Sequence, residues 1–418
     1  VFIRLTTRVA HSQNLIAEDG RTEAAERHFV KDMNKYVMMP AQARMRHIEV
    51  EKRTHALIKE AAECKINFAL MRGGELGVVT SGAVYQNVRE ALPDASVYKL
   101  GMVYPINTDE IKSFASKVKR LIVIEELEPY IQNTLLAAGM RAEGKNIFSI
   151  QGEIDAAEIR AKMLGVPRAA PAPGLPGRPP VLCPGCPHRS VFYVLSKLKL
   201  NVFGDIGCYT LGALKPLSAV DTTLCMGASI GMAAGHEKAE GNDRRSVAVI
   251  GDSTFVHSGI TGLIDCVYNK TNVKVIILDN STTGMTGHQP NPSTGFDIYN
   301  QPAPQLSLEA IAYACGASSV AVVDSFDMKG VEETLKRELS KDGVSVIIAR
   351  RVCALLDKSP KPKYEVNERC VKCGACLKIG CPAISRNKDK TVTIDRAFCV
   401  GCGVCASMCR ADAIRLAE

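Results

Sequence analysis

The chain has 418 residues, of which 46% are hydrophobic and 23% charged, so it is long enough for two to four globular domains and is not a disordered or low-complexity polypeptide. Its net charge of +8 is modest for this length, and no Lys/Arg block is dense enough to argue for nucleic acid. No apolar run reaches the roughly 18 residues of a membrane span, and no signal peptide is evident. The 16 cysteines stand out, with eight of them between Cys370 and Cys409. In a chain without a secretion signal, such clustering argues for metal ligation rather than disulfides.

Taken in order, residues 1–8 (VFIRLTTR) read as a buried strand with a charged end. The polar, turn-rich stretch to about Pro40 reads as the tail of a domain whose body precedes this chain, which begins with Val rather than Met. Residues 42–63 carry apolar positions at helical spacing and predict a connecting helix, with His47 and His55 on its surface. From Asn67 to about Gly165, strands and helices alternate, which predicts a parallel sheet. The strands are LGVVTSG, SVYKL and RLIVIEE. The helices are AVYQNVREAL, DEIKSFASKV with Thr108 and Asp109 as its cap, and PYIQNTLLAAG, opened by Pro and closed by Gly. Glu125 and Glu126 end a strand and have two readings, as ligand or interface groups or as solvated strand-end charge. Residues 166–180 (VPRAAPAPGLPGRPP) have no packing face and read as a semi-rigid linker. A second α/β domain follows to about Leu356, and KSPKPK then leads to the cysteine-rich end.

Within that second domain, SVAVIGD and VKVIILDN read as buried strands joined by a helix, with a glycine-rich turn after the second. Asp252 ends the first strand and Asn280 the second, and strand carboxyl ends are where α/β sheets bind ligands. Two oxygen-bearing side chains aimed at one crevice suit a Mg²⁺ ion that bridges a diphosphate. The pattern resembles the thiamine diphosphate signature, GD(G/S) followed by an Asn after the next strand. A generic βαβ unit with turn-forming Asp and Asn is the alternative, but it would not also predict the TGMTGHQ loop that follows. Met226–Gly235 (MGASIGMAAG) resembles a helix start suited to phosphate.

The tail holds two related runs, Cys370-x₂-Cys373-x₂-Cys376-x₄-Cys381-Pro382 and Cys399-x₂-Cys402-x₂-Cys405-x₃-Cys409. This is the pattern of a bacterial two-cluster ferredoxin, in which the fourth Cys of each run reaches the other cluster. One [4Fe–4S] cluster then takes Cys370, Cys373, Cys376 and Cys409, and the other takes Cys399, Cys402, Cys405 and Cys381. A pair of Zn sites is the alternative. Two departures are the extra residue before Cys381 and Arg410 where Pro usually stands. Cys183, Cys186, Cys208 and Cys353 could hold a third cluster, or Cys183 and Cys186 could be buried thiols of a turn. Cys64, Cys225, Cys266 and Cys315 read as small buried hydrophobes.

CPGCPHR, GDIGCYTLG, CMGASIG, GDSTFVHSGI, LDNSTTGMTGHQ and the terminal two-cluster module occur in this order. On these motifs the whole chain resembles the large subunits of the indolepyruvate ferredoxin oxidoreductase family, within the 2-oxoacid:ferredoxin oxidoreductase superfamily. The resemblance implies a multidomain α/β chain with thiamine-diphosphate-binding parallel-sheet domains, followed by a C-terminal α+β two-cluster ferredoxin domain. It divides the chain into the end of a pyrimidine-binding domain (1–30), a helical connector (31–66), a transketolase-C-terminal-like domain (67–165), the linker (166–180), the diphosphate- and Mg²⁺-binding domain (181–357) and the ferredoxin-type domain (361–418).

For the site, it implies Mg²⁺ on Asp252, Asn280 and the Thr282 carbonyl, and diphosphate beside Gly251, Ser253 and Thr254. Gly227, Ala228 and Ser229 form a second part of that pocket. Thr286, Gly287 and His288 border the reacting centre, with Thr286 and His288 as catalytic candidates. A proximal cluster falls to Cys183, Cys186, Cys208 and Cys353, while His188 has no assigned role. The thiamine-activating Glu is expected in the part that precedes this chain. The implied reaction turns indolepyruvate, coenzyme A and oxidised ferredoxin into indoleacetyl-CoA, CO₂ and reduced ferredoxin. The implied setting is a cytoplasmic hetero-oligomer with a smaller beta subunit, away from nucleic acid and membrane. Open alternatives are the same chemistry on phenylpyruvate, a branched-chain acid or pyruvate, a non-oxidative thiamine-dependent decarboxylase, and an electron-transfer subunit without catalysis.

Overall fold

A computed structural model describes residues 2, 3, 5–16, 18, 20, 21, 23–169, 174, 177, 179–241 and 245–417. Contacts divide the chain into two units, residues 1–176 and 177–418. Parts of several sequence readings fall outside the described residues: positions 1 and 4 of the amino-terminal strand, 17, 19 and 22 of the turn-rich stretch, 170–173, 175, 176 and 178 of the linker, 242–244 of the second α/β domain and 418 of the ferredoxin-type domain. Among the described residues, no helix is long and apolar enough to cross a membrane.

In the first unit, the strand expected over residues 1–8 does not form. Phe2, Ile3 and Leu5 are exposed, and Thr7–Ala10 make a single helical turn. An apolar run becomes a strand only when a neighbour takes its backbone hydrogen bonds, and among the described residues none does. A long helix, Pro40–Glu63, starts with Pro in its first turn and stays largely exposed, with Ala61 as its buried residue. Strands β1 (Phe68–Leu70), β2 (Leu76–Ser81), β3 (Ser96–Leu100) and β4 (Arg120–Ile124) then form a sheet of order β1-β3-β2-β4. β2, β3 and β4 are parallel, whereas the short edge strand β1, which the sequence reading did not contain, runs antiparallel to β3. Side chains alternate between two faces. Val78, Val97, Ile122 and Ile124 pack under helices Val84–Ala91 and Ala156–Leu164, while Val79, Tyr98 and Val123 pack under Thr108–Ala115 and Tyr130–Ala137.

The cap of Thr108–Ala115 is Asn107, one position before the expected residues; its Oδ1 accepts the Asp109 and Glu110 N–H groups at 3.1 Å each. Glu125 and Glu126 are not free surface charge. The buried Glu125 carboxylate accepts the Ile131 and Gln132 N–H groups at 2.8 and 2.9 Å, and Glu126 accepts that of Ile154 at 3.1 Å.

The second unit is built on β5 (Asn201–Phe203), β6 (Ser246–Gly251), β7 (Lys274–Asp279), β8 (Ser319–Asp324) and β9 (Ser345–Arg350), all parallel, in the order β5-β6-β7-β9-β8. Every residue of β6 and β7 is buried, as expected of central strands covered on both faces. Ala248, Ile250, Val275 and Ile277 pack against Ile230, Leu263 and Leu308 of helices Ala228–Ala239, Ile260–Tyr268 and Leu308–Ala314. The alternate residues Val247, Val249, Ile276 and Leu278 pack against Val191 and Leu335 of helices His188–Leu198 and Met328–Leu339.

Four short strands complete the unit: β10 (Tyr364–Val366), β11 (Ile384–Arg386), β12 (Val392–Ile394) and β13 (Ile414–Leu416). β10 pairs with β13, and β11 with β12, each pair antiparallel. The outer pair brings the start of the first cysteine run to the end of the second. The inner pair brings Cys381 to the start of the second run.

Candidate functional site

β6 and β7 are neighbours in register, with Gly251 opposite Leu278. Asp252 and Asn280, just beyond the two strand ends, therefore emerge side by side. Both are buried, Asp252 to 2% exposure and Asn280 to 7%, as is Thr282 at 3%. One end of the Asn280 amide lies 2.9 Å from the Thr282 carbonyl oxygen and 3.2 Å from Asp252 Oδ1. Turned with Nδ2 toward them, the amide donates to both. Turned with Oδ1 toward them, three oxygens converge at separations close to the roughly 3.0 Å between adjacent ligands of an octahedral Mg²⁺ ion with about 2.1 Å bonds. The donor set is therefore one that fits a hard cation. Asp252 Oδ2 has only long contacts, 3.4 Å each, to Asn291 Nδ2 and Ser293 Oγ. Burial, with the like charge of Asp279 nearby, pushes the Asp252 carboxyl up to about 7. Asp279 itself is taken by Arg350, whose Nε donates to it at 2.6 Å.

Gly251 has to be Gly because of a close approach: a Cβ there would lie 2.7 Å from Cε1 of the buried Tyr209 ring. A continuous helical run, Asp252–Thr254 then Phe255–Gly259 then Ile260–Tyr268, starts at this point, so its first-turn N–H groups open toward the crevice. Thr283 Oγ1 donates to Ser253 Oγ at 2.9 Å, which ties the glycine-rich loop to the start of that helix.

Gly227, Ala228 and Ser229, expected as part of the diphosphate pocket, lie at a helix start. They do open the helix Ala228–Ala239, but the anion at that helix start is the chain's own Asp205. This fully buried carboxylate accepts the Gly227 N–H at 2.9 Å with each oxygen and the Ser229 N–H at 3.2 Å. The two N–H groups are thereby already paired. Asp205 stands in the GDIGC motif, so the residue was visible in the sequence, but its direction was not.

The loop after Asn280 closes on itself. The Thr283 N–H donates to the Gln289 carbonyl at 3.0 Å, and the His288 N–H to the Thr283 carbonyl at 3.1 Å. Gly287 and His288 both have positive φ, +118° and +63°. Thr286 is exposed, and its hydroxyl donates to Gln289 Oε1 at 2.6 Å. His288 Nε2 lies 3.7 Å from Cys353 Sγ, so of the two catalytic candidates His288 is held against a thiol and Thr286 stays within its own loop.

Twelve cysteines fall into three sets of four that act on one another electrostatically. Burial pushes Cys376 up, with Cys409, Cys373 and Cys370 acting in the same direction. Burial pushes Cys405 up to about 12 and raises Cys402, with Cys381 and Cys399 adding to both. Burial likewise pushes Cys186 up to about 12, helped by Cys183 and Cys208, while Cys208 is also raised by Cys183 and Cys353. Such thiols become good ligands only when a metal draws off the proton. Among the described residues no three His, Cys, Asp or Glu side chains are grouped so that they could hold one metal ion. The third set adjoins the oxygen cluster. The Cys353 N–H donates to the Asn280 carbonyl at 3.0 Å, and a Cβ on Gly284 would lie 3.6 Å from Cys208 Sγ. Of the cysteines read as small buried hydrophobes, Cys266 is buried and Cys64 and Cys315 are half-buried. Cys225 is exposed, which overturns that reading for it. His188 is buried against the edge of Tyr209, and burial pushes it down to about 4, so it is a neutral core histidine.

A family model of the C-terminal TPP-binding domain of thiamine pyrophosphate enzymes matches residues 205–349, and a 4Fe–4S binding domain model matches residues 392–415. The chain is 35% identical to a protein of Archaeoglobus fulgidus named indolepyruvate oxidoreductase subunit IorA, over 100% of this chain and 72% of that one. It is 36% identical to the subunit of the same name from Methanothermobacter thermautotrophicus, over 99% and 72%. A 2-oxoglutarate synthase subunit KorB of Archaeoglobus fulgidus is 26% identical, over 40% of this chain and 68% of that protein.

Proposed function

This chain belongs to the family of indolepyruvate oxidoreductase IorA subunits, and we propose that it oxidatively decarboxylates an aryl 2-oxoacid, indolepyruvate, with coenzyme A. The products are an acyl-CoA and CO₂, and the electrons pass through [4Fe–4S] clusters to ferredoxin. Its TPP-binding and 4Fe–4S domains supply the two kinds of chemistry this needs. In this reading, Asp252, Asn280 and the Thr282 carbonyl hold Mg²⁺, and the N–H groups at Ser253 and Thr254 face the diphosphate. Thiamine diphosphate, when bound, supplies the electron sink for the carbon that loses CO₂. The cysteine sets would hold iron–sulfur clusters of low potential, which supply one-electron acceptors when bound. Buried walls around Asp252 exclude water, so the carboxylate is spent on the cation rather than on solvent. His288 holds the loop border against Cys353. A smaller companion subunit, free ferredoxin, coenzyme A and a cytoplasmic setting complete the proposal.

One observation carries this reading: the Asn280 carbonyl accepts the Cys353 N–H, which joins the cation site to a set of four cysteines through a single residue pair. A non-oxidative decarboxylase has no need of such a junction. The test is viologen reduction by the complex with its companion subunit, given coenzyme A and either indolepyruvate or pyruvate. Faster reduction with indolepyruvate is expected. Faster reduction with pyruvate would overturn the substrate, and decarboxylation without viologen reduction would overturn the reaction class.

A further inference from the structure

Arg189 follows Cys183 and Cys186 in sequence, in the first turn of helix His188–Leu198, yet it is 4% exposed. Its guanidinium reaches in two directions. Nε and Nη2 donate to the Cys183 carbonyl at 3.2 Å each, and Nη2 also donates to the Leu182 carbonyl. Nη1 donates to the Ile379 carbonyl at 3.1 Å and to the Gly380 carbonyl. One planar fork thus joins the loop that carries Cys183 and Cys186 to the loop that leads into Cys381. Gly380, at φ +67°, accommodates the approach: a Cβ there would meet Pro216 Cδ at 2.8 Å and Arg189 Nη1 at 3.4 Å.

Among the described residues, no Asp or Glu pairs with this cation. A buried charge needs more than carbonyl dipoles to offset its lost hydration. The charges that act favourably on it are those of Cys381, Cys186, Cys183 and Cys402, drawn from two different sets. Lys could not do the same work, because a compact ammonium with three donors cannot span carbonyls on two loops as a five-donor fork does.

We propose that Arg189 is a positioning residue of the electron path: it fixes the Cys183–Cys186 loop against the loop before Cys381, and its charge between the two sets favours the reduced form of the clusters they hold. This rests on the reading that both sets bind [4Fe–4S] clusters. Reduction adds one negative charge to a cluster, and a buried positive charge beside it is poorly screened. The groups that act most strongly on Arg189 come from the other two sets, so the set of Cys370, Cys373, Cys376 and Cys409 serves as an internal control.

The test is a redox titration followed by electron paramagnetic resonance on the complex with its companion subunit, comparing wild type, Arg189→Met and Arg189→Lys. Iron is expected at about twelve per chain in all three, as three [4Fe–4S] clusters require. In Arg189→Met the midpoint potentials of the two flanking clusters shift to more negative values, and that of the third stays put. Arg189→Lys keeps the charge and shifts them less, but it loosens the junction, read as faster proteolysis within residues 358–363. If Arg189→Met does not accumulate with its iron, Arg189→Gln carries the same expectation. Unchanged potentials in the charge-removing variant, with iron intact, would overturn the proposal and leave Arg189 a purely mechanical bracket. About eight irons in wild type would instead overturn the cluster reading beneath it.

Discussion

Asp252 is a buried carboxylate whose Oδ2 has contacts of 3.4 Å to Asn291 and Ser293, which leaves it suited to the cation proposed for this site. Asp252→Ala is expected to abolish retention of thiamine diphosphate through purification and to lower turnover by at least about 100-fold, while leaving iron content unchanged. Retention equal to wild type would mean the ion is held elsewhere. At Gly251 the constraint is space. Gly251→Ala drives a methyl into the Tyr209 ring at 2.7 Å and is expected to cost about 1–3 kcal/mol, seen as a lowered thermal midpoint and weaker cofactor retention. Asp252 and Asn280 were legible in the sequence because each closes an apolar run at a place where a strand must end. Asp205, Tyr209 and Arg189 were not. Their roles depend on which way a side chain turns at the end of an element, and that is decided by elements far away in the chain.

Elements were legible in proportion to how continuously apolar they are. β6 and β7 are buried at every position, and their runs of Val, Ile and Ala left no other reading. The short edge strand β1 has only three residues and an exposed face, so no periodicity marked it. The amino-terminal run failed in the opposite sense, since Phe2, Ile3 and Leu5 are apolar enough for a strand but have no pairing neighbour among the described residues. The cap at Asn107 was missed by one position because Asn, Thr and Asp all cap well and stand in a row. Helix Ala228–Ala239 shows what a motif leaves open. Its Gly-rich start does bind an anion, but the anion is Asp205. Asp205→Ala is therefore expected to cost about 1–2 kcal/mol of stability by leaving buried N–H groups unpaired, measured as a drop in the thermal midpoint. If the helix start instead served phosphate, that variant would lose cofactor without losing stability.

Across the molecule, two layers of sequence information meet. The terminal repeat specified two cysteine sets by spacing alone, because β-strand pairing carries the fourth Cys of each run to the other run. The third set draws Cys183 and Cys186 from a loop and Cys208 and Cys353 from distant strand ends, so spacing could suggest it but not define it, and the family resemblance strengthened it. Cys353→Ser is expected to lower iron from about twelve to about eight per chain while thiamine diphosphate is retained, measured by metal analysis of the anaerobically purified complex.

The central claim is that electrons leave the Asp252–Asn280 site through these thiolate sets. It is tested most directly by adding indolepyruvate to the oxidised, acceptor-free complex and recording its electron paramagnetic resonance spectrum. The account predicts a reduced [4Fe–4S] signal that appears with substrate and is absent in Asp252→Ala. Release of CO₂ with the clusters still oxidised would contradict it.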